Sequence, residues 1–449
     1  MAARESTDHP TADESRRVAY RVLAQAGKRG RINDHLHREL ARANLDSRQK
    51  SFVTEVVLGS TRMQGLLDAQ LTGCYSGRYQ HLENGVKALL RLGAYQIRFM
   101  DAVPDRAAVH TTVDLARGVS LDRAAGLINA VLRKLSQTVP PVPDIESGSA
   151  EALAASFSHP RWLVQKWLDQ WDRSKVIELM EWNNLRPTIW LRVRDDPQSQ
   201  SALEALAAGA GLTLQRHPHL PLYFAPRPSP APLLESGPMD RGLYIVQDPS
   251  AGAVVAVVDP QPGETIIDLC AGPGGKTAAL AEAVGPQGQV HAFEIDPGRI
   301  DMLNQTLGRL GLDNVKLYPG DALDQPLPAA DKILVDVPCT GTGVLARRAD
   351  LRWKRQPEQL TELCSLQQKL LDHAASALAH QALLVYATCS LEPEENWGAV
   401  GEFQQRHPEV TLTPLPDHLP SAWIDANGAL STFPPSHEVD GVFAVRLSR

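Results

Sequence analysis

The stretch ETIIDLCAGPGGKTAALAEAV, residues 264–284, constrains this chain more than any other: an apolar run, a glycine-rich turn and an Ala/Leu-rich run follow one another without a gap. A buried strand that hands over to a helix through glycines is the building block of a doubly wound α/β sheet, and its turn brings backbone N–H groups close to a ligand at the helix start. From about residue 243, TIIDLC, QVHAFE, KILVDV and ALLVYAT alternate with helical runs, which predicts a mostly parallel sheet covered by helices. Two ligands are disfavoured by the turn itself. A triphosphate loop needs GxxxxGK[ST], and Cys270 stands where its first glycine belongs. A dinucleotide turn needs GxGxxG, and the third glycine is missing after Gly272-Pro273-Gly274. A loop for the methionyl end and ribose of S-adenosyl-L-methionine remains.

Two acids follow in the order such a ligand requires. Glu294 ends the strand HAFE, 22 residues past Gly272, close to the spacing at which a carboxylate meets ribose hydroxyls. Asp321, in LYPGDAL after the third strand, is placed to accept from an adenine amino group.

The rest of the 449-residue chain exceeds one core and divides by texture. Residues 1–14 are polar and expected to be disordered. Residues 15–137 read as helix after helix with apolar residues at i, i+3, i+4, an all-α bundle. The Pro- and Ser-rich residues 138–149 read as a linker. Residues 150–235 combine helical and strand-like runs, a small α+β module, and residues 236–449 form the α/β domain. Trp162, Trp167, Trp171 and Trp182 recur at near-helical spacing and are read as core.

Charge separates the halves. Residues 1–150 hold 21 Lys and Arg against 16 Asp and Glu, a net of +5, while the remainder carries −12. A basic module joined to an acidic one fits an RNA-holding domain beside a small-molecule enzyme. No stretch approaches the roughly 20 apolar residues of a membrane span, and no apolar leader is visible, so a cytoplasmic protein without a membrane partner is expected. The five cysteines form no CxxC pair, which predicts free thiols and no metal site.

Two of those cysteines carry chemistry by position. KILVDV runs into Asp336-Val337-Pro338-Cys339, and ALLVYAT into Cys389-Ser390, so both thiols sit at the carboxyl ends of strands, where open α/β sheets bind ligands. Cys74 and Cys364 lie inside helical runs and are read as inert. A thiolate beside a methyl donor suits pyrimidine C5 methylation. C5 of cytosine is a weak nucleophile until a thiolate adds at C6, Asp336 is the nearest carboxyl group to relieve the charge on N3, and a second cysteine can assist removal of the C5 proton. Spacing alone leaves open which cysteine attacks.

At DLCAGPGGKT, DVPCTGTGV and YATCSLEPEEN the chain resembles the RNA cytosine-C5 methyltransferases of the NOL1/NOP2/Sun group. Its N-terminus, with ALLRLGAYQIRFMDAVPDRAAVHTTVDLAR and GLINAVLRKL, is similar to the NusB-like RNA-binding domain carried by a bacterial branch of that group. The resemblance implies a NusB-like bundle, a small α+β module and a Rossmann-like methyltransferase domain. It further implies 16S rRNA of the small ribosomal subunit or its precursor as partner, and a monomer is expected. By that likeness Cys389 is the nucleophile and Cys339 serves product release. The cofactor contacts carried over are Cys270, Ala271, Gly272, Pro273, Gly274, Gly275, Lys276, Glu294, Asp321 and Asp336. Gly272 stands where Ala is common, Glu294 where Asp is common, and DGVF where DGFF is frequent. A tRNA cytosine methyltransferase and a non-catalytic assembly factor are the rival readings. The NusB-like half speaks against the first, and the intact cysteines and cofactor loop against the second.

Overall fold

The structure, a computed structural model, describes residues 12–25, 30–138, 148–234 and 236–449. Residues 1–11 of the N-terminus expected to be disordered, and residues 139–147 of the linker expected at 138–149, lie outside the described residues, while residues 12–14 already belong to the first helix. The chain forms two compact units, one of residues up to 185 together with 345–355, the other of residues 186–344 and 356–449.

The first unit is helical: α1 (Ala12–Leu23), α2 (Ile32–Arg42), α3 (Ser47–Arg62), α4 (Gln64–Cys74), α5 (Asn84–Phe99), α6 (Asp105–Gly118), α7 (Ala125–Gln137), α8 (Ala150–Ser156), α9 (Arg161–Gln170) and α10 (Arg173–Asn184). The apolar spacing read from the sequence becomes one shared core. Val53, Val56 and Val57 of α3, Leu67 and Leu71 of α4, and Ile128, Leu132 and Leu135 of α7 fall on single helix faces and are buried together. Cys74 belongs to this core. Of the four tryptophans read as core, Trp167 of α9 is fully buried and the other three are half-buried.

The second unit begins with a small antiparallel sheet. It comprises β1 (Leu191–Val193), α11 (Pro197–Gly209), β2 (Thr213–Arg216), β3 (Tyr223–Arg227), α12 (Ser236–Asp240) and β4 (Tyr244–Val246), in strand order β2-β3-β1-β4. The composition groups residues 150–185 with this module, whereas their helices lie in the first unit, with α8 against α4 and α9. An amphipathic helix shows that it has an apolar face, not which neighbour will cover it. β4, past the boundary drawn at residue 235, completes the small sheet by pairing with β1.

The main sheet follows: α13 (Pro249–Val258), β5 (Thr265–Asp268), α14 (Gly275–Val284), β6 (Gln289–Glu294), α15 (Pro297–Leu310), β7 (Val315–Pro319) and β8 (Lys332–Asp336). After α16 (Leu351–Lys354), which sits in the first unit, come α17 (Glu358–Ser376), β9 (Leu383–Thr388), α18 (Trp397–Arg406), β10 (Thr411–Thr413), β11 (Leu430–Ser431), α19 (Pro434–His437) and β12 (Phe443–Ser448). The strand order is β10-β12-β9-β8-β5-β6-β7, with β11 on β12; β5 to β9 pair in parallel and β12 runs antiparallel to β9. Alternate residues of each central strand face opposite helix layers, as the two-residue period requires. Ile267, Val335, Leu384 and Tyr386 pack with Leu371 and Phe403 of α17 and α18. Ile266, Leu334 and Val385 pack with Val257 and Leu280 of α13 and α14. Both faces are thus dry, and the reactive side chains collect at the strand ends.

Residues 345–355 form a strap inside the first unit. Arg352 is fully buried there and donates to the Ser158 carbonyl at 3.1 Å, the Asn184 side chain at 2.8 Å and the Asn183 carbonyl at 2.8 Å. Trp353 Nε1 donates to the Thr61 carbonyl at 2.7 Å, and Arg62 donates to the Ala346 carbonyl at 3.2 Å. Burial and the neighbouring Arg62 push the Arg352 pKa down to about 9, the mark of a guanidinium held by carbonyls rather than by an acid.

Candidate functional site

The glycine-rich turn leaves β5 and enters α14. Gly274 adopts a left-handed φ of 89°, and a Cβ there would overlap Leu303 of α15, so the turn can close only with glycine. Gly272 also has positive φ (59°), but open space lies beyond it. Pro273 is exposed, while Cys270, Gly272, Gly275 and Lys276 are half-buried and Ala271 is buried. The thiol of Cys270 is pushed up by burial and by Asp268, Asp336 and Glu294, so it stays neutral.

Glu294, at the end of β6, is buried and its carboxylate is aimed by two backbone donors: Gly272 N at 2.8 Å on Oε2 and Asp296 N at 2.8 Å on Oε1. Each oxygen keeps lone-pair capacity for a further donor, as a pair of ribose hydroxyls would need. Asp321, after β7, caps the turn Ala322–Asp324 by accepting from Leu323 N at 3.0 Å through Oδ1. Oδ2 of Asp321 has no hydrogen-bond partner among the described residues. An open turn flanked by these two acids fits S-adenosyl-L-methionine.

The sequence reading missed Asp268, the last residue of β5, although an acid two places before the glycine turn was in plain view. It is buried and accepts from Thr277 Oγ1 at 2.7 Å, which ties the strand end to the first turn of α14. Burial, with Asp336 nearby, raises its pKa to about 6.

Parallel pairing of β8 with β9 sets Asp336 opposite Ala387, so the chain segments beyond the two strands run side by side. The two cysteines meet there, with Cys339 Sγ 3.3 Å from Cys389 Sγ. Cys339 is buried and Cys389 half-buried, so the second is the more accessible sulfur. The Cys339 thiol is pushed well up by its hydrogen bond with Cys389, by burial and by the Cys389 and Glu395 charges. It therefore remains a thiol able to donate to the Cys389 sulfur. Asp336 accepts from Lys276 Nζ at 2.8 Å. Burial alone would lower the Lys276 pKa, but Asp336, together with the Cys389 and Asp268 charges, holds it above the ordinary value. The ammonium thus lies within reach of the Cys389 charge, a feature the sequence reading did not anticipate when it gave Lys276 to the cofactor alone.

Hydrogen bonds knit the two cysteine loops together. Ser390 Oγ lies 3.0 Å from Thr340 Oγ1, Leu391 N donates to Thr342 Oγ1 at 2.9 Å, and Gly343 N donates to the Cys389 carbonyl at 3.0 Å. A Cβ on Gly343 would fall 2.4 Å from the Gly441 carbonyl, so the DGVF segment packs backbone to backbone against the Cys339 loop. The buried Glu395 accepts from Thr340 N at 2.8 Å and from Thr340 Oγ1, and Gln367 donates to it at 2.9 Å. Neither Glu395 nor Gln367 was singled out in the sequence. One stood among several acids of LEPEEN, the other in the middle of α17, with no local signal to separate either from a solvated residue. Of the remaining cysteines, Cys364 lies in α17 and is half-buried.

Comparison with known proteins divides the chain into three matched segments. Residues 255–448 match the 16S rRNA methyltransferase RsmB/F model, residues 13–137 the NusB family, and residues 159–222 the ferredoxin-like domain of RsmF/B-like methyltransferases. A probable ribosomal RNA small subunit methyltransferase B from Synechocystis is 31% identical over 442 residues, covering 97% of this chain and 99% of its own. The ribosomal RNA small subunit methyltransferase B of Klebsiella pneumoniae is 32% identical over 448 residues, 96% of this chain and 97% of its own. Among solved structures, PH0851 has the same fold, with a TM-score of 0.84, 23% identity and coverage of 98% and 99%. A methyltransferase homolog from Pyrococcus horikoshii reaches a TM-score of 0.56 at 25% identity and covers 69% of this chain and 99% of its own. Likeness that runs from the helical bundle through the small sheet to the paired cysteines, at this identity and over whole chains, admits one conclusion: the chain belongs to the 16S rRNA methyltransferase RsmB/F family.

Proposed function

We propose that this protein methylates C5 of a cytosine in 16S rRNA, with S-adenosyl-L-methionine as donor and Cys389 as nucleophile. The observation that carries the reading is the pair of sulfurs 3.3 Å apart, beside Lys276 and Asp336 and at the edge of the glycine turn. Held by the turn from Cys270 to Lys276, by Glu294 and by Asp321, the donor supplies an electrophilic methyl group. Cys389, the more accessible sulfur, adds to C6 of the base. As the ring gains electrons N3 takes up a proton from solvent, and the Asp336 carboxylate accepts the hydrogen bond of the resulting N3–H. C5, now the nucleophilic end of an enamine, accepts the methyl group. Loss of the C5 proton to water then returns electrons to expel the Cys389 thiolate, whose departing sulfur takes a hydrogen bond from the Cys339 thiol. A stacked base cannot reach both groups, so the target is read as an unstacked nucleotide. Incubating the protein with 16S rRNA and labelled donor, followed by bisulfite sequencing, should reveal one protected cytosine. Label without a protected cytosine would refute C5 as the target.

The helical unit is proposed to hold the RNA. Helices α6 and α7 flank a cleft of about 1140 Å³ lined by Arg106, His110, Arg117, Asn129 and Arg133. Arg106 to Arg117 spans about 16 Å of α6 at ~1.5 Å per residue. Arg117 and His110 pair with Asp114, whereas Arg106 and Arg133 have no acidic partner among the described residues. Exchanging Arg106 and Arg133 together for Ala should weaken RNA binding and flatten its log–log salt dependence by about 2, one for each lost phosphate contact. An unchanged slope would remove this cleft from the RNA path.

A further inference from the structure

We propose that Glu395 is a positioning residue for product release, holding Cys339 against the adduct through Thr340. The inference rests on the two-cysteine reading above and assigns a part to residues outside it.

Three observations carry it. First, Glu395 is fully buried, and among the described residues no Lys, Arg or His pairs with its carboxylate. A buried carboxylate without a cation is costly, and it persists where its hydrogen bonds hold something in place. Second, those bonds converge on the neighbours of Cys339. Thr340, the next residue, donates to Glu395 through both its backbone N–H and its hydroxyl. Gln367 Nε2 donates to Glu395 Oε1 at 2.9 Å and to the carbonyl of Pro338, the preceding residue, at 3.0 Å. Cys339 is thus clamped on both sides by one carboxylate and one amide. Third, the clamp is anchored to the other cysteine strand. Tyr386 of β9, three residues before Cys389, donates to the Glu395 carbonyl at 2.7 Å, and its hydroxyl lies 3.3 Å from Gln367 Oε1. Glu395 itself follows Cys389 by six residues. The distance between the sulfurs is therefore set by a short rigid path, Cys389 to Glu395 to Thr340 to Cys339.

The charge has a use as well as the geometry. Glu395 is among the causes that keep the Cys339 thiol protonated, so the sulfur beside Cys389 is a donor and does not compete as a second thiolate.

The test uses the full-length protein with target RNA and donor, and reads first-turnover methyl transfer, steady-state turnover and the yield of protein–RNA adduct on denaturing gels. Glu395→Ala should retain first-turnover transfer yet lose about 100-fold in steady-state rate, the size expected for ~1 Å misplacement of a reacting group. Its adduct should accumulate as it does for Cys339→Ala. Glu395→Gln keeps an acceptor for Thr340 and should recover much of the turnover. Gln367→Ala, which leaves the carboxylate in place, should show the same phenotype in weaker form and guards against a Glu395→Ala chain that fails to fold. If Cys339→Ala traps adduct and neither Glu395→Ala nor Gln367→Ala does, the positioning role is overturned while the two-cysteine reading stands. If first-turnover transfer and cofactor binding fall together in both folded variants, with no adduct, the clamp is only structural. If Cys339→Ala itself traps nothing, both readings fall.

Discussion

Cys389→Ala should reduce methyl transfer by about 10⁴-fold or more, to background, while S-adenosyl-L-methionine binds with near-normal affinity. The size follows from the chemistry: removing an attacking nucleophile abolishes the step that makes C5 reactive, and no neighbouring group replaces it. The separation of effects follows from the structure. The carboxylates assigned to the cofactor, Glu294 and Asp321, take their hydrogen bonds from Gly272, Asp296 and Leu323, none of them in the Cys389 loop. Isothermal titration with donor and a filter assay for labelled RNA would check the two halves. Retained turnover would show that the accessible sulfur is not the attacking one.

Cys339→Ala should give the opposite signature. Adduct formation needs only Cys389, so the first methyl group should still be transferred, but the linked complex should resolve slowly and a retarded band should appear on denaturing gels. The double variant should behave like Cys389→Ala, because a bond that never forms cannot accumulate. The geometry makes this contrast sharp. The two sulfurs are 3.3 Å apart, so a base bound at one would lie near both, yet Cys389 is the more accessible and the Cys339 thiol is pushed well up. A band with Cys389→Ala in place of Cys339→Ala would reverse the assignments. Two active variants and no band would remove covalent catalysis altogether.

Much of this arrangement was legible in the chain, and the limits have physical causes. β6 and β8 appear within QVHAFE and KILVDV, because strands buried on both faces must be continuous apolar runs whose ends are marked by polar residues. The meeting of Cys339 and Cys389 follows once each is placed at a strand end, but that β8 and β9 are neighbours is a matter of sheet order, which a single sequence does not display. The clamp on Cys339 was invisible for a related reason. Glu395 and Gln367 gain meaning only when α17 lies across β9, bringing together residues 28 positions apart. The grouping of α8 to α10 with the small sheet rests on chain order, and their packing beside α4 could not be read from it, because periodicity reports a face and not its partner. Lys276 was read as a cofactor contact, and its pairing with Asp336, 60 positions away, adds an electrostatic part that no local pattern carries.

The strap of residues 345–355 makes the two units inseparable as genes. The backbone crosses between them after residue 185, again after residue 344 and again after residue 355, so no single cut frees either one. A shortened chain lacking the helices would keep Leu345, Ala349 and Leu351 but strip away the residues that bury them, and would leave the Arg352 guanidinium without the Ser158, Asn183 and Asn184 oxygens it donates to. That injury would fall six residues after Cys339. The constraint reaches gene architecture: a chain stripped of the helical half would carry these eleven residues, unmatched, inside the catalytic reading frame. Swapping N-terminal halves between distant homologues should therefore yield active chimaeras only when the strap travels with the helices.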